Sequence, residues 1–343
     1  MKSIIELTDM IFFDENKNSI FILNQFLLPG KKEVMELKTL SDVFQAIEKL
    51  YIRGAGLIGV CAAYGLSMIL RNIQTENVLF FIGQMRMTAD YLCEAKPSIN
   101  NIKEMVLRVE KAALSAQSKK IDEMKILALN EAKKIHQEDY QASIKLADIS
   151  AGFIKDKKAV LTCGINGKLA STGPYGIALA PVYKLHETGT TIPIFIAENR
   201  PLFDGSRVLA YELDTAKIPY TILCDGMIAT LMANNEIDCV LLSGYDVDAN
   251  GSIVCHTGTL NIAVIANYFQ IDTFILMQHS LTIEKPNLHK SEENLFRKSF
   301  TDIWFKRPIT TPFASYYGCT TDIIPRKLVT KVITDRGVIY EDN

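Results

Sequence analysis

The segment Cys163-Gly164-Ile165-Asn166-Gly167 sets a thiol at the end of the apolar run Ala159-Val160-Leu161-Thr162, ahead of a stretch with helical spacing. A thiol facing a helix N-terminus has its pKa lowered by the dipole and becomes reactive. The same pattern suits a buried apolar cysteine that closes a strand. Farther on, Gly244-Tyr245-Asp246-Val247-Asp248-Ala249-Asn250-Gly251 carries two carboxylates. Asp246 or Asp248 can serve as an acid or base, although Asp, Asn and Gly are also what a turn demands, and Asn250-Gly251 reads as the turn itself. Cys255-His256 follows. Neighbours in a strand point to opposite faces, so these two do not form a dyad, and His256 alone is a candidate anion ligand. Glu198-Asn199-Arg200-Pro201 and Asp204-Gly205-Ser206-Arg207 bring two guanidinium groups to one strand end. Arg200 suits a carboxylate or phosphate, whereas Arg207 reads better as a structural salt bridge. Arg53-Gly54-Ala55-Gly56 opens a small-residue helix, where amide groups beside an arginine make a phosphate site or simply a helix entry with a solvated Arg.

These groups need a frame, and the hydrophobic pattern supplies one of α/β class. The first 30 residues alternate as a hairpin through Ile11-Phe12-Phe13 and Ser19-Ile20-Phe21-Ile22-Leu23. Residues 40–150 read as helices, with Ser41 as the N-cap of the first, small residues along 54–71, and longer runs over 102–117 and 121–154. Near residue 158 the rhythm changes. Strands are expected at 159–162, 192–197, 220–223, 239–242 and 273–276, with helices at 175–186, 207–214, 227–233 and 260–269. That is the βαβ spacing of a doubly wound parallel sheet. The reading is a mostly helical N-terminal domain with a small β-sheet over 1–150 and a Rossmann-like domain over 151–343. Ligands of such sheets bind beyond the carboxyl ends of the strands, which selects the loops at 163–167, 198–207, 225–226, 244–259 and 278–280.

Composition narrows the function classes. The 343 residues are 48% hydrophobic and 22% charged, with a net charge of −2, so there is no basic footprint for nucleic acid or an acidic membrane. The longest apolar stretches, such as 173–182, read as too short to span a bilayer, and no secretory signal pattern opens the chain. The seven cysteines form no CxxC pair, which fits a reduced, cytoplasmic setting better than a disulfide framework or a zinc site. Neither a GxGxxG nor a GxxxxGKS motif occurs, so nothing signals NAD or ATP.

Taken in order, the motifs resemble one family. Arg53-Gly54-Ala55, Gly59 and Ala62-Ala63-Tyr64-Gly65 resemble "RGAPAIG…AAYG". Residues 161–170 resemble "LTHCNAGALA", residues 198–207 "ETRPLLQGAR", Asp225-Gly226-Met227 "DNM", residues 242–259 "VGADRIAANGDVANKIGT", and residues 333–339 "ITERGVI". These belong to the methylthioribose-1-phosphate isomerases, relatives of the regulatory subunits of translation initiation factor 2B. The resemblance runs from about residue 11 to about residue 340. It implies a homodimer that converts an aldose 1-phosphate to the ketose 1-phosphate in methionine salvage, with the site between domains and no metal or cofactor. A cysteine and an aspartate are its catalytic pair. Here Gly164 holds the cysteine position with Cys163 one residue before it, and Tyr245 holds the aspartate position with Asp246 one residue after it. By resemblance Cys163 moves a proton between sugar carbons and Asp246 assists ring opening or takes up a hydroxyl proton. Arg53, Gly54 and Ala55 match the phosphate contacts. Lys96 stands for an arginine, Asp204 for a glutamine, and Cys255-His256 for Asn-Lys. Arg200, Asp204, Cys255 and His256 complete the expected substrate contacts. The alternative is a non-catalytic sugar-phosphate or nucleotide sensor of the initiation-factor kind.

Overall fold

The computed structural model describes residues 10–96, 99–117, 120–278, 282–283, 311, 313–315, 317–319 and 321–340. Two units emerge: Met1–Lys145 with Gly167–Gly176, and Leu146–Asn166 with Ile177–Asn343.

The first unit begins with an antiparallel sheet of β1 (Ile11–Asp14), β2 (Ser19–Leu23) and β3 (Val34–Leu37), of which the alternating pattern had indicated β1 and β2. Ile20 and Ile22 of β2 are wholly buried. Five helices follow: α1 (Leu40–Glu48), α2 (Ala55–Asn72), α3 (Val78–Cys93), α4 (Asn100–Leu114) and α5 (Ile121–Ile154), the last running across the division between units. The N-cap of α1 is Thr39, not Ser41. Its hydroxyl accepts from Asp42 N at 3.1 Å, and the Asp42 carboxylate accepts from Thr39 N at 2.9 Å, a closed capping box that Ser41, already inside the helix, has no geometry to form. The apolar helix α2 is longer than the stretches weighed from sequence and could cross a bilayer by length and composition alone. Its glycines and Ala62 and Ala63 are instead buried within the unit, where they admit close helix neighbours: a Cβ at Gly59 would lie 2.8 Å from the Asn101 side chain of α4.

The second unit holds the expected sheet. It contains β4 (Val160–Thr162), β5 (Ile194–Ala197), β6 (Tyr220–Leu223), β7 (Cys239–Asp248), β8 (Ile253–His256), β9 (Asp272–Met277), β10 (Thr282–Ile283), β11 (Thr321–Ile324), β12 (Lys331–Thr334) and β13 (Gly337–Tyr340). The order β12-β9-β7-β4-β5-β6 is parallel throughout and reverses its succession once, between β4 and β7. β13 adds antiparallel at the β12 edge, and β8 and β11 extend from β7 as an antiparallel flap. Residues 244–248, read as part of the loop at 244–259, instead continue β7: Gly244, Asp246 and Val247 pair with β8 across the Asn250-Gly251 turn, and Val247 and Asp248 pair with β10. Asp248 serves that turn, accepting from the backbone of Asn250 and Ser252, both at 2.8 Å. The helices are α6 (Ala180–Glu187), α7 (Ala210–Ala216), α8 (Ile228–Ala233) and α9 (Thr259–Tyr268). α6 starts five residues later than the expected 175, after the Gly173-Pro174 and Gly176 breaks and with Pro181 in its first turn. Val160, Leu161, Val240, Leu242 and Ile275 form the centre of the core, all wholly buried. Of the loop expected at 278–280, residues 279 and 280 lie outside the described part.

Candidate active site

The chemistry of the second unit gathers at the carboxyl end of β4, beside the point where strand order reverses. In open α/β sheets this is where the two neighbouring loops diverge and leave room for a ligand. Cys163 follows β4 directly. Asn166 fixes the loop behind it: its Nδ2 donates to Thr162 Oγ1 at 2.7 Å and to the Cys163 carbonyl at 2.5 Å, and its Oδ1 accepts from Ser243 Oγ of β7 at 2.5 Å. Sequence reading had Asn166 inside the motif but gave it no role, since Ser243 lies 77 residues away.

No helix starts directly after the thiol in sequence; the helix entry beside its sulfur is that of α9, whose N-cap is Gly258. A short 3₁₀ turn, Lys168–Ala170, follows the loop, and α6 begins only at Ala180. Cys163 is 2% exposed. Burial pushes its pKa well up, and Asp225, Asp322, Asp204 and Cys255 push in the same direction. Of the two sequence readings of Cys163, this burial and raised pKa fit the buried cysteine that closes a strand, a thiol at rest.

Asp225 accepts from Asn199 N at 2.9 Å and Arg200 N at 2.8 Å, fixing the turn after β5. Asp322 of β11 accepts from Gly258 N at 2.8 Å and Leu260 N at 3.0 Å, holding the entry to α9. Sequence gave no signal for Asp322, which arrives from a strand paired with β8. Asp204 is 1% exposed and lies 3.5 Å from His256 Nε2. His256 Nδ1 lies 3.0 Å from the Thr257 carbonyl. A carbonyl only accepts, so Nδ1 carries a proton and Nε2 faces the Asp204 carboxylate. The same carbonyl accepts from Asn199 Nδ2 at 3.0 Å. Two glycines floor this cluster. A Cβ at Gly164 would sit 3.7 Å from the His256 ring and 3.8 Å from Asn199 Oδ1, and one at Gly258 would sit 3.5 Å from Cys163 Sγ. Thus Cys163, Asp204 and His256 of the expected set come together.

The remaining expected residues are placed as follows. Asp246 is buried on β7, just past a register shift at which Tyr245 is the extra residue opposite β8. A bulge of this kind re-aims the next side chain, and it falls at the step where the sequence departs by one residue from the family spacing. Cys255 is wholly buried in the same apolar cluster as Cys163, and burial raises its pKa. Arg200 lies 3.3 Å from Glu198 and stacks over Phe203. In the first unit, Arg53 is buried, with its Nε 3.4 Å from the Leu50 carbonyl. Gly54 is the N-cap of α2, no side chain caps that helix, and Ala55 is its first residue. A Cβ at Gly54 would strike the Ala170 carbonyl oxygen at 2.1 Å. Lys96 is half-buried beyond α3.

Comparison with known proteins agrees with this architecture. A methylthioribose-1-phosphate isomerase of Parabacteroides distasonis is 31% identical over 342 residues, covering 96% of this chain and 99% of the relative. A 5-deoxyribose 1-phosphate isomerase of Petrotoga mobilis is 31% identical over 330 residues, covering 96% and 94%. The crystal structure of 5-methylthioribose 1-phosphate isomerase from Pyrococcus horikoshii superposes with a TM-score of 0.83 at 24% identity over 97% of this chain and 94% of that one, and shares its fold. The delta subunit of translation initiation factor eIF-2B from A. fulgidus superposes with a TM-score of 0.79 at 28% identity over 97% and 96%. Residues 51–341 match the initiation factor 2 subunit family. With a thiol at the strand-order reversal, a full-length likeness to sugar-phosphate isomerases and a shared fold, the chain belongs to the initiation factor 2 subunit family.

Proposed function

We propose that the protein is an aldose–ketose isomerase acting on a sugar 1-phosphate, with methylthioribose 1-phosphate and 5-deoxyribose 1-phosphate as the candidate substrates. The likeness to isomerases of both names over nearly the whole chain supports the substrate class. The observation that carries the chemistry is the buried Cys163 thiol at the end of β4, beside the strand-order reversal.

A sugar phosphorylated at C1 has no free aldehyde. Its ring must open by cleavage of the C1–O4 bond, which requires a proton on O4. Loss of the C2 proton then gives an enol phosphate, and protonation at C1 with loss of the O2 proton leaves a C2 ketone. Nothing is oxidised or reduced overall, so side chains that move protons suffice. In this reading the Cys163 thiol gives its proton to O4, and the thiolate so formed takes the C2 proton and returns it to C1. Its raised pKa makes that thiolate a strong base once it exists. The Asp246 carboxylate takes the O2 proton and passes it back to sulfur. Arg53, the amides of Gly54 and Ala55, Lys96, Arg200 and His256 are proposed to hold the phosphate and sugar oxygens. Asp204 orients the His256 imidazole, and Cys255 backs the thiol. The acting form is proposed to be a cytoplasmic homodimer.

General acid–base groups contribute about 10²–10⁴-fold each. Cys163→Ser and Asp246→Asn should each lower kcat by that order while the folded circular-dichroism spectrum is retained. Wild-type turnover in either variant would remove that residue from the mechanism.

A further inference from the structure

Asn199 carries an unmet hydrogen-bonding capacity inside this site. It is 2% exposed, just past β5, with φ of 63°. Its backbone N–H is held by Asp225, and its Nδ2 donates to the Thr257 carbonyl at 3.0 Å. That bond fixes the amide orientation, because a carbonyl cannot accept from an oxygen without hydrogen. The other end, Oδ1, is buried and has no hydrogen-bond partner among the described residues. It points toward Gly164, whose missing Cβ would have stood 3.8 Å away, with the His256 ring beside it. The Cys163 sulfur and Asn199 Nδ2 flank the neighbouring Gly258, 3.5 and 3.4 Å from the point where a Cβ would be. A buried acceptor left unmet is costly, and it favours a ligand that brings a donor.

We propose that Asn199 is a substrate-positioning residue whose Oδ1 accepts a hydrogen bond from a hydroxyl of the bound sugar over Gly164, next to the reacting thiol. The assignment rests on the isomerase reading and adds to it a requirement for a hydroxyl donor at this point. Aspartates cluster here, but a neutral amide oxygen binds a hydroxyl without adding further repulsion toward phosphate. A substrate lacking that hydroxyl leaves the acceptor unmet again, so the contact discriminates as well as positions.

The test is Asn199→Gly, which tolerates the positive φ and removes the carboxamide. With 5-deoxyribose 1-phosphate or methylthioribose 1-phosphate, whichever the wild type converts, kcat/KM should fall about 10–100-fold, mainly through KM. A variant that melts near the wild type and keeps kcat/KM within twofold overturns the assignment while the isomerase reading stands. If the wild type converts neither sugar, both fall. Should Asn199→Gly fail to fold, a crystal structure of the Asp246→Asn protein with the same sugar phosphate decides. A sugar oxygen within about 3.2 Å of Asn199 Oδ1 supports the assignment, and water alone on that atom, or a sugar bound elsewhere, overturns it.

Discussion

At the residue scale, the protonation of Cys163 governs what the site can begin with. A group whose pKa is raised by folding binds its proton more tightly in the native state. Above about pH 8.5, where an unfolded thiol ionises, the unfolded chain therefore holds fewer protons than the native one, and stability falls as pH rises. Burial acts in this direction on Cys61, Cys239 and Cys255 as well as on Cys163, with Cys61 pushed up to about 12. Urea unfolding is thus expected to show stability that is level from neutral pH to about pH 8.5 and declines above it. Replacing the wholly buried Cys61 by Ala should lessen the slope. A native-state alkylation series should give the complementary result, with the exposed Cys224 labelled first and Cys163 among the slow group with the buried Cys61, Cys239 and Cys255. Labelling of Cys163 at the rate of Cys224 would show that the thiol is not enclosed.

At the scale of elements, side chains that cross between segments set the loop geometry. Asn166 joins the end of β4 to β7 through three side-chain bonds. Asn166→Ala leaves Ser243 without its acceptor and should cost about 1–3 kcal/mol in urea unfolding. In α1, burial pushes the Asp42 carboxyl up, but the amides of Lys38 and Thr39 and the Thr39 hydroxyl outweigh it and hold its pKa below the usual range. This capping contribution is present above about pH 3.9 and is lost as pH falls below it. Thr39→Ala should cost about 1 kcal/mol at pH 7, read from the urea midpoint. The parallel strands were legible because β-branched runs recur at βαβ spacing. The extension of β7 was not, since Gly244, Asp248 and Asn250 have turn composition and only pairing with β8 and β10 draws residues 244–248 into a strand. The capping box at Thr39 was open to reading, as Thr39 and Asp42 stand three apart, and Ser41 drew attention only as the serine nearest the apolar run.

At the scale of the whole molecule, fold class and family followed from motifs spread over the chain, while site geometry did not. Cys163 follows β4, Asp204 lies in the loop past β5 and His256 ends β8, and their approach depends on a strand order that no local pattern encodes. Asn199 and Asp322 became visible only through partners 58 and 64 residues away. The register shift at Tyr245 likewise becomes visible only once both strands are in place. The central claim is that this arrangement moves protons on a sugar 1-phosphate, and phosphorus NMR of the wild-type protein with methylthioribose 1-phosphate and with 5-deoxyribose 1-phosphate tests it most directly. The account predicts that the aldose 1-phosphate signal of at least one gives way to that of a ketose 1-phosphate. Binding of both without conversion would contradict it and leave a sensor on the same fold.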